Sequence, residues 1–189
     1  MILERKGILD SVLINNLTER VRERIGVYGT TEAELKCGAS LALHGLLGPL
    51  DKLVLADVDL SRFPAEQLTS LVSSVTISLQ IIRVIGSALL SLLRSLKCKF
   101  YLCIGHQSLN GEETQALVQA MESRVENVFL HDAQLDMEAL TSYSGHGKCR
   151  GLTLWGIDRA VKRRVSTWAR SKNWRVDNCG VGMLGVTKE

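Results

Sequence analysis

Apolar residues recur along the chain in a short pattern that returns every 22 to 28 residues. The clearest copy has the spacing LxxLxLxxVxL and runs through Leu50, Leu53, Leu55, Val58 and Leu60. Further copies put strand starts at positions 25, 53, 79, 102, 128, 152 and 174, and the outer copies are degenerate. A period of about 20 to 50 residues is typical of solenoids and other repeat architectures. The pattern therefore predicts a repeat protein over nearly the whole chain.

Between these starts the apolar period changes from two to about 3.6, which is the spacing of an amphipathic helix. Val161, Val165 and Trp168 form one such stripe. Another stripe follows Asn110 and Glu113, which have the spacing of a helix-capping box. Each unit is therefore predicted to be a strand, a loop and a helix. Such a unit buries its apolar face only against its neighbours.

Residues 107–121, with the sequence QSLNGEETQALVQAM, resemble the helical leucine-rich repeats of ribonuclease-inhibitor-type proteins and of NOD-like receptors. The resemblance implies an α/β fold: a right-handed leucine-rich-repeat solenoid with a parallel concave sheet and helices on the convex side. The copies depart from the family at its conserved Asn position, which holds Val, Gln, Ala, Ile or Cys here. The asparagine ladder that ties the loops together is therefore largely missing.

Two domains are predicted: residues 1–24 as an N-terminal helical cap or flank, and residues 25–189 as about seven strand–helix units. A doubly wound α/β sheet is the competing fold, but its strands are covered on both faces and read as continuous apolar runs. Polar residues at alternate positions in residues 53–57 and 128–132 favour one open face instead. No cysteine-rich cap is recognisable, so the chain is either part of a longer protein or capped in another way.

Composition is that of an ordinary globular protein, with 46% hydrophobic and 23% charged residues. The five cysteines contain no CxxC pair and no metal-finger spacing, which favours free thiols in a reducing, cytoplasmic location. Cys98 and Cys149 stand where the repeat takes an apolar residue, so both are expected in the core. Residues 1–26 lack the apolar core of a signal peptide.

The apolar run of residues 74–93 is long enough to suggest a membrane segment. Gln80 and Arg83 lie near its centre, where hydrocarbon would penalise them heavily. A buried strand followed by a buried helix explains the run better, and no membrane partner is expected.

Side chains between the core leucines of each strand should project from the concave face. Ile82, Phe129 and Trp155 then form apolar anchors within a charged rim, which is the anatomy of a protein-binding surface. The predicted partner-binding residues are Tyr28, Asp57, Ile82, Arg83, His106, Phe129, His131, Asp132, Trp155 and Asp177. The predicted function is recognition of a protein partner by this face, and the family resemblance implies immune-type recognition.

No catalytic pattern accompanies the four histidines, so an enzyme is not expected and neither a cofactor nor a metal is assigned. One alternative is a zinc site on the concave face, formed by Cys103, His106, His131 and Asp132. Another is binding of an anion or nucleic acid by residues 159–175, which carry seven basic residues and no acidic residue. A solvated helix face explains those charges better, so nucleic acid is the less favoured partner.

Overall fold

The computed structural model describes residues 32–36, 50–56, 60–62, 65–73, 75–86 and 88–188. The predicted flank, residues 1–24, lies outside them. So do the predicted binding residues Tyr28 and Asp57.

Eight strands and five helices make up the described part of the chain. The strands are β1 (Glu32–Lys36), β2 (Leu50–Ala56), β3 (Val75–Ile82), β4 (Tyr101–Gly105), β5 (Asn127–His131), β6 (Gly151–Trp155), β7 (Trp174–Gly180) and β8 (Met183–Lys188). The helices are α1 (Ala65–Ser73), α2 (Leu89–Ser95), α3 (Gly111–Ser123), α4 (Met137–Thr141) and α5 (Arg159–Ser171). A short 3-10 helix spans Leu60–Arg62.

All eight strands belong to one mixed sheet with the order β1-β2-β3-β4-β5-β6-β8-β7. Strands β1 to β6 pair in parallel with their neighbours, whereas β8 pairs antiparallel with both β6 and β7. The predicted right-handed solenoid, with a purely parallel sheet, is therefore wrong. The seventh predicted unit also has no helix, because the chain turns back after β7 through Gly180 and Gly182, both at positive φ. The returning strand β8 takes the place beside β6 that a parallel seventh repeat would occupy.

The core lies between one face of the sheet and the helices. Alternate strand residues such as Leu102 and Ile104 are fully buried and share one apolar cluster with helical residues such as Leu117 and Val165. Residues between them, such as Cys103, are half-buried or exposed. Among the described residues, therefore, one face of the sheet packs on helices and the other is open; we call the second the open face. The alternation of apolar and polar strand positions predicted this arrangement.

The residue after each of four consecutive parallel strands has a left-handed backbone. Arg83, His106 and Asp132 have φ values of 48°, 50° and 47°, and Gly156 has 73°. Their turns are pinned by hydrogen bonds to the next strand: the N–H of His106 donates to the His131 carbonyl at 2.7 Å, and that of Asp132 to the Trp155 carbonyl at 2.8 Å. A non-glycine residue in this conformation costs about 1–2 kcal/mol. The turns place residues 106 and 132 at the edge where the strands end.

Both predicted core cysteines, Cys98 and Cys149, are completely buried, which confirms their placement. They are free thiols, as are Cys103 and Cys179. Cys37 lies outside the described residues.

The apolar run of residues 74–93 divides into a strand and a helix, as its polar residues predicted. Strand β3 ends at Ile82, and α2 begins at Leu89. In the part of the chain that the structure describes, no helix is long and apolar enough to cross a bilayer.

Candidate functional site

Two rows of residues cross the open face from strand to strand. The first row pairs Val54, Gln80, Cys103, Phe129 and Thr153 in register. The second pairs Ala56, Ile82, Gly105, His131 and Trp155. From β2 to β6 both agree with the alignment that the apolar repeat predicts, because a parallel register aligns equivalent positions of successive units. The first predicted start, at position 25, is wrong: Glu34 pairs with Val54 and Lys36 with Ala56, so the strand beside β2 begins at Glu32.

Beyond β6 the alignment that the repeat predicts, with Asp177 beside Trp155 in one row, is wrong. Strand β8 lies between β6 and β7, so Thr153 pairs with Gly185, and Gly185 pairs with Asp177. Asp177 therefore belongs to the first row and lies two strands from β6. Met183 takes the place beside Trp155 in the second row. The Asp177 carboxylate instead accepts a hydrogen bond from Nε of Arg175 at 2.9 Å. The structure therefore separates Asp177 from the other predicted binding residues.

Aromatic side chains from three adjacent strands are exposed on the open face. Trp155 is 56% exposed, Phe129 is 40% and Tyr101 is 46%. The Tyr101 and Phe129 ring centroids are 6.0 Å apart, and those of His131 and Trp155 are 4.9 Å apart. The prediction missed Tyr101, although extending the alternation back two residues from Cys103 would have found it. No local signal in the sequence points to Met183, because its position depends on the antiparallel return.

These side chains surround a shallow groove of about 750 Å³, which we call the open-face groove. Its lining residues are Ile77, Ser78, Gln80, Tyr101, Cys103, Phe129, Leu130, His131, Thr153, Trp155 and Met183. None of these described residues is Lys, Arg, Asp or Glu. In the second row Gly105 lies between Ile82 and His131, and a Cβ there would be 3.6 Å from Cγ1 of Ile82.

At the strand-end edge of the same face, two imidazoles flank one carboxylate. Oδ2 of Asp132 lies 3.4 Å from Nδ1 of His106 and 3.1 Å from Nε2 of His131. We call these three residues the strand-exit cluster. The zinc alternative had included Cys103, but that residue is not part of the group of ligand atoms. The neighbouring Gly156 leaves room for the carboxylate, because a Cβ on Gly156 would collide with Oδ1 of Asp132.

Most of the predicted partner-binding residues that the structure describes therefore lie close together. Phe129, His131 and Trp155 line the groove, and His106 and Asp132 form its edge at the strand ends. Ile82 lies half-buried in the second row, and Arg83 follows it at the exit of β3, where its N–H donates to the Gly105 carbonyl at 3.1 Å.

A second depression, of about 760 Å³, lies at the opposite edge, where strands begin and helices end. Its basic lining residues are Arg94, Lys97, Lys99, Arg124 and Lys148, with Glu126 as the acid; we call it the basic pocket. Arg124 serves the fold here, since its Nη1 donates to the carbonyls of Arg94 at 2.8 Å and Leu96 at 2.7 Å.

The basic segment considered as an anion site forms α5 and continues into β7. Its predicted inner residues Val165 and Trp168 are buried, whereas Arg163 and Arg164 are exposed on the other side. This placement is that of an amphipathic helix with a solvated outer face.

Cys103 has a less reactive environment than a nucleophilic cysteine requires. Partial burial raises the pKa of its thiol, so the thiolate is disfavoured. Its place in the groove is therefore that of a small, weakly polar side chain.

Comparison of the chain with protein-family models, with curated proteins and with solved structures gives no match. The leucine-rich-repeat resemblance receives no support from these comparisons.

Proposed function

We propose that the open-face groove binds a protein partner, by accepting a bulky apolar side chain from a peptide segment of that partner. The observation that carries the proposal is the exposure of Tyr101, Phe129 and Trp155 from three adjacent strands around one uncharged groove. Exposed aromatic clusters within a polar rim are typical of protein-binding hot spots.

The chemistry of the groove selects this kind of partner. A nucleic acid requires Lys or Arg to neutralise its phosphates, and none of the described lining residues supplies such a charge. Cys103 and Thr153 are small lining residues on either side of Phe129, which suits a bulky side chain entering the groove from above. His131 and Gln80 can bond to the polar backbone of the same peptide, whose register they would help to select.

The proposal can be tested with peptides selected from a displayed library against the full chain. We expect Trp155→Ala and Phe129→Ala each to weaken binding of a selected peptide by about 30-fold or more, the equivalent of roughly 2 kcal/mol. Phe100→Ala is the matched control, because Phe100 is 43% exposed but does not line the groove. Arg163→Ala on α5 is a second control. Selected peptides that bind both groove variants as tightly as the wild type would overturn the proposal.

A second candidate function is binding of a phosphate-rich polyanion such as single-stranded nucleic acid. The observation favouring it is the basic pocket, whose lining has five cationic side chains and one acidic side chain. We place this function there rather than on α5. The test is the salt-dependent affinity for a single-stranded oligonucleotide. We expect the pair Lys97→Ser and Lys99→Ser to weaken binding, with no change for the pair Arg163→Ser and Arg164→Ser; the reverse result would move the site back to α5.

We propose further that the protein lies in the cytoplasm and has no catalytic role. Supporting the location, all four cysteines of the described residues are free thiols, and Cys179 among them is exposed. When cells are lysed directly into a denaturing solution of an alkylating reagent, mass measurement should show all five cysteines of the sequence alkylated. A disulfide trapped in that experiment would contradict a reducing location.

A further inference from the structure

We propose that His106, His131 and Asp132 bind a divalent transition-metal ion, with Zn²⁺ as the best-fitting ion. The proposal does not rest on peptide binding in the groove, although His131 belongs to both sites. Two imidazole nitrogens and one carboxylate oxygen are ligands that zinc commonly takes. Within the described residues, they come from the ends of two adjacent strands and lie at the edge of the open face.

The separations between the three ligand atoms are close to those on a coordinated ion. Zinc bonds to nitrogen and oxygen of about 2.0–2.2 Å place two ligands of a tetrahedral site roughly 3.3–3.5 Å apart. The carboxylate oxygen of Asp132 already lies 3.4 Å from Nδ1 of His106 and 3.1 Å from Nε2 of His131. All three atoms lie within 4.8 Å of one another, so a small rotation of an imidazole completes the triangle.

The backbone holds these ligands in place. His106 and Asp132 each occupy a left-handed turn whose N–H is bonded to the next strand. Gly156 then provides the space in which the Asp132 carboxylate lies. His131 is restrained on its other side by the ring of Trp155. The ligands are therefore preorganised by three neighbouring strand ends and not by a flexible loop.

Without a metal, the two imidazoles can donate N–H groups to the same carboxylate oxygen. A bound ion would replace both hydrogen bonds, and each neutral imidazole would carry its proton on the other ring nitrogen. The three side chains are 39%, 40% and 43% exposed, so an ion can reach them from solvent. Three protein ligands leave at least one coordination position for water or for a ligand from outside.

The test is titration of the full chain, freed of metal with a chelator, with ZnCl₂ in a calorimeter. We expect one equivalent to bind. His106→Asn and Asp132→Asn should each weaken zinc binding more than tenfold, and Asn is suitable because it tolerates positive φ. His131→Phe should do the same while keeping a ring beside Trp155. His146→Asn, which changes an exposed histidine outside the cluster, should alter the affinity less than twofold.

A variant that displaces one ligand without removing any of them tests whether the three side chains form a preorganised site. Gly156→Ala keeps all three ligands but displaces the Asp132 carboxylate, so we expect zinc affinity to fall by about 10- to 100-fold. Circular dichroism and thermal unfolding of metal-free Asp132→Asn should match the wild type, which keeps that variant informative if Gly156→Ala fails to fold. Absence of saturable zinc binding, or affinities for the three ligand variants equal to that of the wild type, would overturn the proposal.

Discussion

The side-chain amide of Gln107 pairs with the backbone of Val84 on the neighbouring strand exit. Its Nε2 donates to the Val84 carbonyl at 2.9 Å, and its Oε1 accepts from the Val84 N–H at 3.1 Å. Val84 is 4% exposed, so without Gln107 both backbone groups would lose their partner in a nearly dry environment. This one side chain therefore fixes the loop after β3 to the loop after β4.

We expect Gln107→Ala to lower the free energy of unfolding by about 1–3 kcal/mol, because it leaves a buried donor and a buried acceptor unsatisfied. Urea unfolding followed by circular dichroism measures this change. Gln134→Ala is the matched control, since Gln134 is exposed and, among the described residues, its side chain has only a long hydrogen bond of 3.5 Å from Ser108. Equal losses from the two variants would show that the amide pair with Val84 does not secure the loops.

The groove requires Trp155 to be a surface residue and not part of the core. We therefore expect Trp155→Ala to reduce the free energy of unfolding by less than about 1 kcal/mol. Trp168→Ala should cost roughly 3–5 kcal/mol, because Trp168 is 6% exposed and its ring packs against Tyr143 and Trp174. Marked destabilisation by Trp155→Ala in thermal unfolding would place its ring in the core and remove the basis for the groove.

Local features of the fold were predictable because they depend on residues near one another in sequence. The spacing of Asn110 and Glu113 predicted a capping box, and each side chain does bond the other residue's backbone N–H. The alternation around Leu102 and Ile104 predicted which strand face is buried, and the repeat period predicted the parallel register from β2 to β6. The buried strand face follows from the two-residue period of a strand.

Pairing at the end of the sheet was not predictable in the same way. Trp174 and Val176 have the spacing of the earlier units, but spacing does not say which strand will be a neighbour. Gly180 and Gly182 allow the chain to reverse, and the residues that follow form β8, which pairs with the edge of β6. Convergence at the strand-exit cluster likewise depends on the left-handed turn at Asp132, which side-chain periodicity does not reveal.

The antiparallel strand β8 should contribute to the stability of the fold. Leu184 is completely buried, so we expect Leu184→Ala to lower the free energy of unfolding by about 2–5 kcal/mol. Val181→Ala, in the exposed turn before β8, should change it by less than about 0.5 kcal/mol. Similar small effects of both variants in chemical unfolding would indicate that β8 is not packed against β6.

The buried thiols make stability depend on alkaline pH. Burial raises the pKa of Cys98 from its ordinary value of 9.0 to about 11, and that of Cys149 to about 12. Below pH 9 both thiols are protonated in the folded and the unfolded chain, so their stabilising contribution is fully present. Above pH 9 the unfolded chain releases protons that the folded chain retains. The free energy of unfolding should therefore fall, by up to about 1.4 kcal/mol per pH unit for each thiol.

Urea unfolding at intervals from pH 8 to 11 measures this slope. We expect Cys98→Ala and Cys149→Ala each to make it shallower, because each removes one thiol that ionises in the unfolded chain before it does so in the fold. Burial also raises the pKa of the Tyr143 hydroxyl, so some decline should persist in both variants. Cys179→Ala is the control, since that side chain is exposed and has no desolvation to lose on unfolding. A slope that is the same in the wild type and in both core variants would mean that water reaches the two thiols in the folded protein, and that the core beneath β4 and β6 is less tightly packed than the structure shows.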